Sequence, residues 1–267
     1  MPIHPTAVID DTAEIDASVE IGPYVVIEGP VRVAANVRIY PHAYLCGHTR
    51  IGENCRIHMG AVVGHLPQDR AFTGQRSYCE IGPNTTIREH ATVHRGTDPE
   101  STTIVGADCL LGATAHVAHN CTVGDRVTLM NGTLLGGHVW IGPGAFLSGN
   151  AGVHQFVRVG ELVMVSGGAA LACDVPPFLI AHGRNRVSGI NRVGLARAGV
   201  TPREIDEIRQ AYRRLYRSGK PLARSIAQLA ETLVTPAGRR MVEFLQADRK
   251  RPLVRPRPAG AGATTSE

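Results

Sequence analysis

The chain has 267 residues, of which 43% are hydrophobic and 4% aromatic, and its formal net charge is +5. No apolar run reaches the roughly 18 residues of a membrane span, and the N-terminus lacks the apolar core of a signal peptide, so we predict no transmembrane segment. The positive charge is concentrated towards the C-terminus, but no RNA- or DNA-reading motif with interleaved aromatic residues accompanies it, which argues against nucleic-acid binding.

Six cysteines are scattered along the chain without the C-x-x-C spacing of a metal or redox site. Several of them take small-residue positions of the repeat described next. We therefore expect reduced, structural thiols in a cytoplasmic protein, and no bound metal.

From Ile3 an aliphatic residue recurs at every sixth position, as in IDASVE, IGPYVV and IEGPVR. This period is neither that of an α-helix nor the alternation of a half-buried strand. It is typical of the left-handed parallel β-helix, in which each hexad forms one face of a triangular coil and its aliphatic residue points inward. The pattern predicts a mainly β fold over residues 1–177, with excursion loops near residues 63–80 and 94–104.

The most regular part of the repeat carries four histidines: His116, His119, His138 and His154. Three hexads close one coil, so residues 18 positions apart stack at the strand spacing of about 4.8 Å. His119 and Gly137 have this separation. The spacing therefore places a histidine, a candidate general base, beside the backbone N–H of a glycine, a candidate oxyanion donor.

The six-residue pattern ends near Pro176, and residues 178–200 read as an irregular connector. A Thr-Pro-Arg-Glu sequence beginning at Thr201 is a helix start signal, and apolar residues follow it at helical spacing. Residues 201–248 are therefore predicted to form a small C-terminal α-helical domain. The Pro-, Gly- and charge-rich residues 249–267 are predicted to be a disordered tail.

Seven segments of the chain together resemble one known family: HLPQDRAFTG, EIGPNTTIREHATVHRGT, AHVAHNCTVG, LLGGHVWIG, AGVHQFVRVG, DVPPFLIAHG and GINRVGLARAG. That family is the acyl-carrier-protein–UDP-N-acetylglucosamine O-acyltransferases, which catalyse the first step of lipid A biosynthesis. A hexad repeat alone is shared by many acyltransferases. The combination of IREHATVHRGT, AHVAHNC, VHQF and DVPP in this order is far more specific.

The resemblance implies transfer of a hydroxyacyl group from an acyl carrier protein thioester, as co-substrate, to the 3-hydroxyl of UDP-N-acetylglucosamine, with no further cofactor. His119 matches the family's general base, and Gly137 matches its oxyanion donor. Asn120 follows the histidine where an acidic residue is common; an amide can orient the ring but cannot stabilise an imidazolium by charge. Proteins of this class generally form parallel homotrimers, which would place the sites between subunits.

The resemblance also implies three groups of further site residues. The first group lines the sugar and pyrophosphate site: Asp69, His116, His138, His154 and Gln155. Asn191 and Arg197 match nucleotide contacts in the connector. Met164 and Gly167 lie where the family has its acyl-chain ruler, and a glycine there leaves a groove open for a long chain.

Three positions depart from the family pattern. Ala71 stands where a lysine is common in the first loop, which removes a cation near the substrate. Val193 replaces a glutamate found near the nucleotide in some members, and Ala198 replaces a second basic residue beside Arg197. The change at Ala71 leaves the identity of the nucleotide sugar open, and the sequence does not give the acyl chain length.

Three other functions also stay open. A related acyltransferase could act on another UDP-sugar, including a 3-amino analogue that would give an amide. A metal-dependent hydratase on the same fold, as in hexapeptide-type carbonic anhydrases, needs three histidines converging on one Zn²⁺ across subunits, and the His-x₄-His spacing of that family is absent. A binding solenoid that has lost activity predicts a damaged base, whereas His119 and Gly137 are intact.

Overall fold

The structure is a computed structural model that describes residues 3–256. Short strands, most of two residues, follow one another along the coil because each hexad contributes little more than its inward aliphatic residue and the residue before it. The strands of the coil are Val8–Ile9 (β1), Glu14–Ile15 (β2), Glu20–Ile21 (β3), Val26–Glu28 (β4), Arg32–Val33 (β5), Arg38–Ile39 (β6), Tyr44–Cys46 (β7), His48–Ile51 (β8), Arg56–Ile57 (β9), Val62–His65 (β10), Tyr78–Ile81 (β11), Thr86–Ile87 (β12), Thr92–His94 (β13), Thr102–Val105 (β14), Leu110–Leu111 (β15), His116–Val117 (β16), Thr122–Val123 (β17), Thr128–Leu129 (β18), Leu134–Leu135 (β19), Trp140–Ile141 (β20), Phe146–Leu147 (β21), Gly152–Val153 (β22), Arg158–Val159 (β23), Met164–Val165 (β24) and Ala170–Leu171 (β25).

Every third strand of the coil joins the same parallel sheet, so three sheets form the three sides of a prism. One sheet runs β1-β4-β7-β10-β13-β16-β19-β22-β25, and a second begins with β2 and ends with β23. The third contains β3 and the strands that stack on it. The predicted left-handed parallel β-helix, with a small C-terminal helical domain, is confirmed.

The interior of the prism is a set of aliphatic stacks, one rung above another. From β4 to β25 of the first sheet the inward residues are all at most 4% exposed: Ile27, Leu45, Val63, Val93, Val117, Leu135, Val153 and Leu171. Fully burying one such side chain stabilises the fold by about 1.5–3 kcal/mol. Five of the six cysteines are buried in the described residues as free thiols.

Two coils contain more than 18 residues, and the sequence separation between paired strand residues gives the number of extra residues in each. Arg56 pairs with Thr86, 30 positions later, and Thr86 pairs with Leu110, 24 positions later. Leu110 then pairs with Thr128 at the regular spacing of 18. The two coils therefore expel 12 and 6 additional residues, which lie in the non-strand segments 66–77 and 95–101.

The connector is more ordered than the expected irregular segment. Leu179–His182 (β26) pairs in parallel with β24 and extends the third sheet, and Arg186–Ile190 (β27) pairs antiparallel with β26. Gly183 and Asn185 adopt φ values of 52° and 56° in the turn between them. A short helix, Arg192–Arg197 (α1), follows. The segment continues the coil's sheet although the six-residue period has ended.

Three helices form the small C-terminal domain: Pro202–Arg217 (α2), Leu222–Thr232 (α3) and Pro236–Gln246 (α4). Thr201 and Glu204 form the predicted capping box at the start of α2. Each helix contributes a fully buried residue to the same hydrophobic core: Ile208, Leu229 and Met241. No helix within residues 3–256 is long and apolar enough to cross a membrane.

The predicted disordered tail requires a correction. Residues 257–267 lie outside the described part of the chain, but residues 249–256 fold back onto the coil and end in the strand Arg255–Pro256 (β28), which pairs with β27. Leu253 and Val254 are 7% and 2% exposed. These two apolar residues give the segment a reason to pack, which its basic and proline-rich composition conceals.

Candidate active site

The first sheet carries an open groove of about 980 Å³ that gathers several of the eleven predicted site residues. Five of them line it: His116, His119, Gly137, His154 and Gln155. His138 N–H donates to the His119 carbonyl at 3.0 Å, and Phe156 N–H donates to the Gly137 carbonyl at 3.0 Å. These bonds join the corners of successive coils, as the 18-residue spacing predicts.

The hydrogen bonds around His119 determine which ring nitrogen carries its proton. Asn120 Oδ1 accepts a hydrogen bond from the backbone N–H of Thr97 at 2.9 Å, which identifies that atom as the amide oxygen. The same oxygen lies 2.9 Å from His119 Nδ1, so Nδ1 must donate to it. Neutral His119 therefore keeps its proton on Nδ1 and leaves the Nε2 lone pair free.

Gly137 lies directly against the His119 ring. A Cβ atom added to Gly137 would lie 2.5 Å from both Cε1 and Nε2 of His119. Such a contact is far inside van der Waals distance, so the ring keeps its place only because this residue is glycine. The backbone of Gly137 and the free nitrogen of His119 thus share one small region of the groove.

Asp69, in the first excursion, faces the same nitrogen. Its Oδ2 atom lies 3.7 Å from His119 Nε2, which is longer than a hydrogen bond. Its Oδ1 atom accepts a hydrogen bond from the backbone N–H of Ala71 at 3.0 Å, which fixes the carboxylate. The separation leaves room for a polar group of a ligand to contact both side chains.

Burial keeps the neighbouring histidines neutral. It lowers the pKa of His116, with a smaller contribution from the charge of His119, and it lowers the pKa of His138 in the same way. His116 Nδ1 lies 2.7 Å from the Thr92 hydroxyl. The His138 ring stands edge-on to His119 at 5.3 Å. Burial and the repulsion between charged rings thus both favour the neutral form of His116 and His138.

Sequence reasoning did not predict two residues that complete this cluster. His94 is 5% exposed, and its ring lies 4.8 Å from that of His116. Phe156 stacks on His138 with ring centroids 4.7 Å apart. The stacking of Phe156 was readable from the 18-residue spacing, whereas placing His94 required knowing how many residues the second excursion removes from the coil.

Four predicted residues lie on other surfaces of the chain. Met164 belongs to the third sheet, and Gly167 is exposed at the corner that follows it. Asn191 caps α1 by accepting from Gly194 N–H at 3.0 Å. Arg197 lines a separate hollow, beside α1 and the start of α2. Within one chain the predicted nucleotide and ruler residues are therefore apart from the histidine groove.

Across residues 3–256 no three His, Cys, Asp or Glu side chains lie together in a way that could hold a metal ion. His116 and His119 each use Nδ1 in a hydrogen bond to a neighbouring side chain. A three-histidine site would have to use residues of more than one chain.

Comparison with protein families gives two matches. A model described as UDP N-acetylglucosamine O-acyltransferase, domain 2, matches residues 174–254. The bacterial transferase hexapeptide repeat matches residues 30–65 and 102–137.

Two relatives align with this chain over most of their length. The acyl-[acyl-carrier-protein]–UDP-N-acetylglucosamine O-acyltransferase of Paraburkholderia phymatum is 48% identical over 231 residues, which cover 86% of this chain and 88% of the relative. The enzyme of the same name from Anaeromyxobacter dehalogenans is 40% identical over 253 residues, or 94% and 98% of the two chains.

Solved structures agree with the sequence relatives. The UDP-N-acetylglucosamine acyltransferase of Francisella novicida superposes with a TM-score of 0.92 at 35% identity, covering 95% of this chain and 94% of that one. The corresponding enzyme of Bacteroides fragilis gives a TM-score of 0.90 at 39% identity, with coverage of 95% and 100%. The similarity therefore extends through the coil and the helical domain alike.

Proposed function

The chain belongs to the acyl-carrier-protein–UDP-N-acetylglucosamine O-acyltransferase family, and we propose that it transfers an acyl group from an acyl carrier protein thioester to the 3-hydroxyl of UDP-N-acetylglucosamine. This reaction is the first step of lipid A biosynthesis. The observation that carries the proposal is the free Nε2 lone pair of His119, which faces Asp69 and lies against the Gly137 backbone.

His119 acts as the general base in this proposal. Its Nε2 atom removes the proton from the sugar 3-hydroxyl while that oxygen attacks the thioester carbonyl. The new C–O bond forms and the C–S bond breaks, and the leaving thiolate takes up the proton from Nε2. Asn120 holds the ring in the required tautomer. Proton transfer of this kind typically contributes about 10² to 10⁴ in rate.

Gly137 stabilises the tetrahedral intermediate through its backbone N–H, the role that its position beside His119 supports. Asp69 accepts a hydrogen bond from a neighbouring hydroxyl of the sugar. The distance of 3.7 Å between Asp69 and His119 suits a sugar that contacts both side chains. His116, His138, His154 and Gln155 complete the surface that binds the sugar and pyrophosphate.

A parallel homotrimer brings the remaining residues to the groove. Asn191 and Arg197 then contact the nucleotide bound at a neighbouring chain's histidines, and Met164 and Gly167 form the acyl-chain ruler. The separation of these residues from the histidine groove within one chain supports a site between subunits. We place the reaction in the cytoplasm, where free thiols such as those of this chain persist.

One alternative within the same chemistry has support of its own. Ala71 is exposed in the first loop, where family members commonly carry a lysine, so the chain lacks that cation beside Asp69. Acylation of another UDP-sugar, including a 3-amino analogue, is therefore the second candidate. The relatives named above favour either acyltransferase over a metal-dependent hydratase.

The test is mass spectrometry of the purified protein mixed with UDP-N-acetylglucosamine, its 3-amino analogue or another UDP-sugar, and a panel of acyl and 3-hydroxyacyl carrier-protein thioesters. We expect one acylated nucleotide sugar, formed best from one chain length, and no product with His119→Ala. Product only from a 3-amino or other UDP-sugar would establish the second candidate. The absence of product with every donor and acceptor would overturn both candidate reactions and would indicate a binding protein without activity.

A further inference from the structure

The last described residues form an arm that is anchored on the coil. We define the C-terminal arm as residues 247–256. The backbone N–H of Asp174 donates to the Pro252 carbonyl at 2.8 Å, and Val254 N–H donates to the Asp174 carbonyl at 2.9 Å. β28 then pairs with β27 at the end of the arm. These contacts hold the residues between α4 and β28 in one conformation beside the coil.

Arg251 lies in the middle of the arm and reaches the proposed active site. Its Nε atom donates to the Gln155 carbonyl at 3.0 Å, and its Nη2 atom lies 2.8 Å from Nδ1 of His154. Both partners belong to the residues that line the histidine groove. The planar guanidinium thus holds the backbone and the ring of two consecutive site residues at once.

The contact determines the tautomer of His154. Nδ1 of His154 also lies 3.3 Å from the Gln155 carbonyl, but that contact is longer and the carbonyl already accepts from Arg251 Nε. A guanidinium has donors only, so in the shorter contact of 2.8 Å Nδ1 of His154 accepts the hydrogen bond. The proton of the neutral ring is therefore on Nε2, and His154 can offer an N–H donor to an oxygen of the substrate. Without Arg251, Nδ1 could instead carry the proton and donate to the Gln155 carbonyl, so the ring would exchange between its two tautomers.

A second contact links the arm to the general base. Lys250 Nζ lies 4.3 Å from the centroid of the Phe156 ring, a cation–π geometry. Phe156 stacks on His138, and His138 stands edge-on to His119. The arm therefore touches the site at three consecutive residues of the corner that joins β22 to β23.

We propose that the C-terminal arm is a positioning element of the active site, and that Arg251 holds His154 as an Nε2–H donor. The consequence for turnover rests on the proposed acyl transfer. The tautomer itself does not, because the contact is present in the protein without substrate. Arg251 is a positioning residue and not a catalytic one, since its two contacts here are with protein atoms.

The first test measures kinetics of Arg251→Met, which keeps the length of the side chain and removes every donor. Losing one charge-assisted hydrogen bond at the site predicts about a tenfold lower kcat/KM for the nucleotide sugar. Arg251→Lys, which restores one donor, should recover part of the loss. Arg255→Met is the matched control, because it removes the same charge from an exposed side chain of the same arm.

A double-mutant cycle separates positioning from a structural role. If Arg251 acts through His154, Arg251→Met has no further effect on kcat/KM in a His154→Ala background. An equal loss in both backgrounds, or an equal loss in the Arg255→Met control, would overturn the proposal.

The second test needs no activity and also works if the acyl transfer proposal fails. NMR of the full-length protein labelled with ¹⁵N-histidine, with His154→Ala used to assign the signal, reports which ring nitrogen carries the proton. We expect His154 to show an unprotonated Nδ1 in the wild type and in Arg255→Met, and a mixture of tautomers in Arg251→Met. A protonated Nδ1 in the wild type would overturn the proposal.

Discussion

Asn120 sets the tautomer of His119, the proposed general base, through a single amide oxygen. That oxygen accepts from both Thr97 N–H and His119 Nδ1–H. We predict that Asn120→Ala lowers kcat by about tenfold, because the ring loses a hydrogen bond that orients it. Asn120→Asp keeps both acceptor contacts and adds a charge that stabilises imidazolium, so its kcat should equal or exceed that of the wild type.

Steady-state kinetics on the three proteins checks this prediction. Thermal unfolding of each variant controls for stability, since the Thr97 bond is also lost in the alanine variant. A kcat for Asn120→Ala equal to that of the wild type would show that the ring needs no orienting partner.

The buried side chain of His94 makes the stability of the fold depend on pH. Burial, with smaller contributions from the charges of His116, His65 and His119, lowers the pKa of His94 to about 4 from an ordinary value of 6.5. Between these two values the unfolded chain binds a proton that the folded chain does not. Stability is therefore lost as pH falls through this window, by on the order of 2 kcal/mol between pH 7 and 5.

Denaturant unfolding of the wild type and of His94→Leu at pH 7 and pH 5 tests this effect. The variant removes the titrating ring and also a buried Nδ1 atom that has no hydrogen-bond partner among the described residues. We expect the variant to lose less free energy of unfolding than the wild type on acidification. An identical loss would mean that other groups dominate the acid response.

At the residue scale the sequence predicted the contacts between residues that the six-residue repeat stacks on one another, and few others. The separation of 18 places His119 against Gly137, and the structure shows that contact. Arg251 contacts His154 across 97 positions of sequence, from a segment whose composition indicates disorder. Nothing in a local pattern encodes such a contact, because it depends on where the helical domain returns the chain to the coil.

Among the elements, the junction between the last coils and the C-terminal arm depends on one buried ion pair. Asp174 is fully buried and accepts from Arg158 Nε at 2.8 Å and from Arg158 N–H at 2.9 Å. Arg158 also lies over the Phe244 ring of α4, 4.4 Å from its centroid. The pair therefore joins β23, the end of the coil and the helical domain.

We predict that Asp174→Ala destabilises the protein by about 3–5 kcal/mol, because it leaves a largely buried guanidinium unpaired. Chemical denaturation monitored by circular dichroism measures the change. The matched control is Glu14→Ala, which removes an ion pair to Arg32 in which both side chains are more than half exposed. That change should cost no more than about 1 kcal/mol. Equal effects of the two substitutions would contradict the importance assigned to burial.

The connector shows where element prediction fails. Its β26 strand extends the third sheet by pairing with β24 after the hexad phase has ended. In LIAH, buried and partly buried residues alternate over only four positions. A pattern this short cannot be distinguished from a loop unless one knows that the edge of a sheet lies beside it. By contrast, the helices α2 and α4 each begin with a Thr-Pro pair, and these local signals suffice to locate them.

For the whole molecule the central question is whether one chain contains a complete site. The histidine groove and the hollow that contains Arg197 are separate in the chain. If sites form between subunits of a homotrimer, two inactive variants can complement each other. His119→Ala and Arg197→Ala chains, unfolded together and refolded as a mixture, should regain activity that neither has alone.

The size of the recovery is also predicted. In a random equimolar mixture about one quarter of the interfaces combine an intact His119 with an intact Arg197 from the neighbour. Activity should therefore approach about one quarter of the wild type if each variant alone is inactive. Mixing the separately folded variants without unfolding is the control and should give no gain. No recovery after joint refolding would place both residues of a working site in one chain.

The most direct test of His119 as general base is the steady-state kinetics of His119→Gln with UDP-N-acetylglucosamine and the best thioester. Glutamine can still hydrogen-bond in the groove but cannot take a proton from the attacking hydroxyl. We predict that kcat falls by about 10² to 10⁴ while the KM values of both substrates stay close to those of the wild type. A raised KM with an unchanged kcat would show that His119 only binds substrate and would contradict its role as the base.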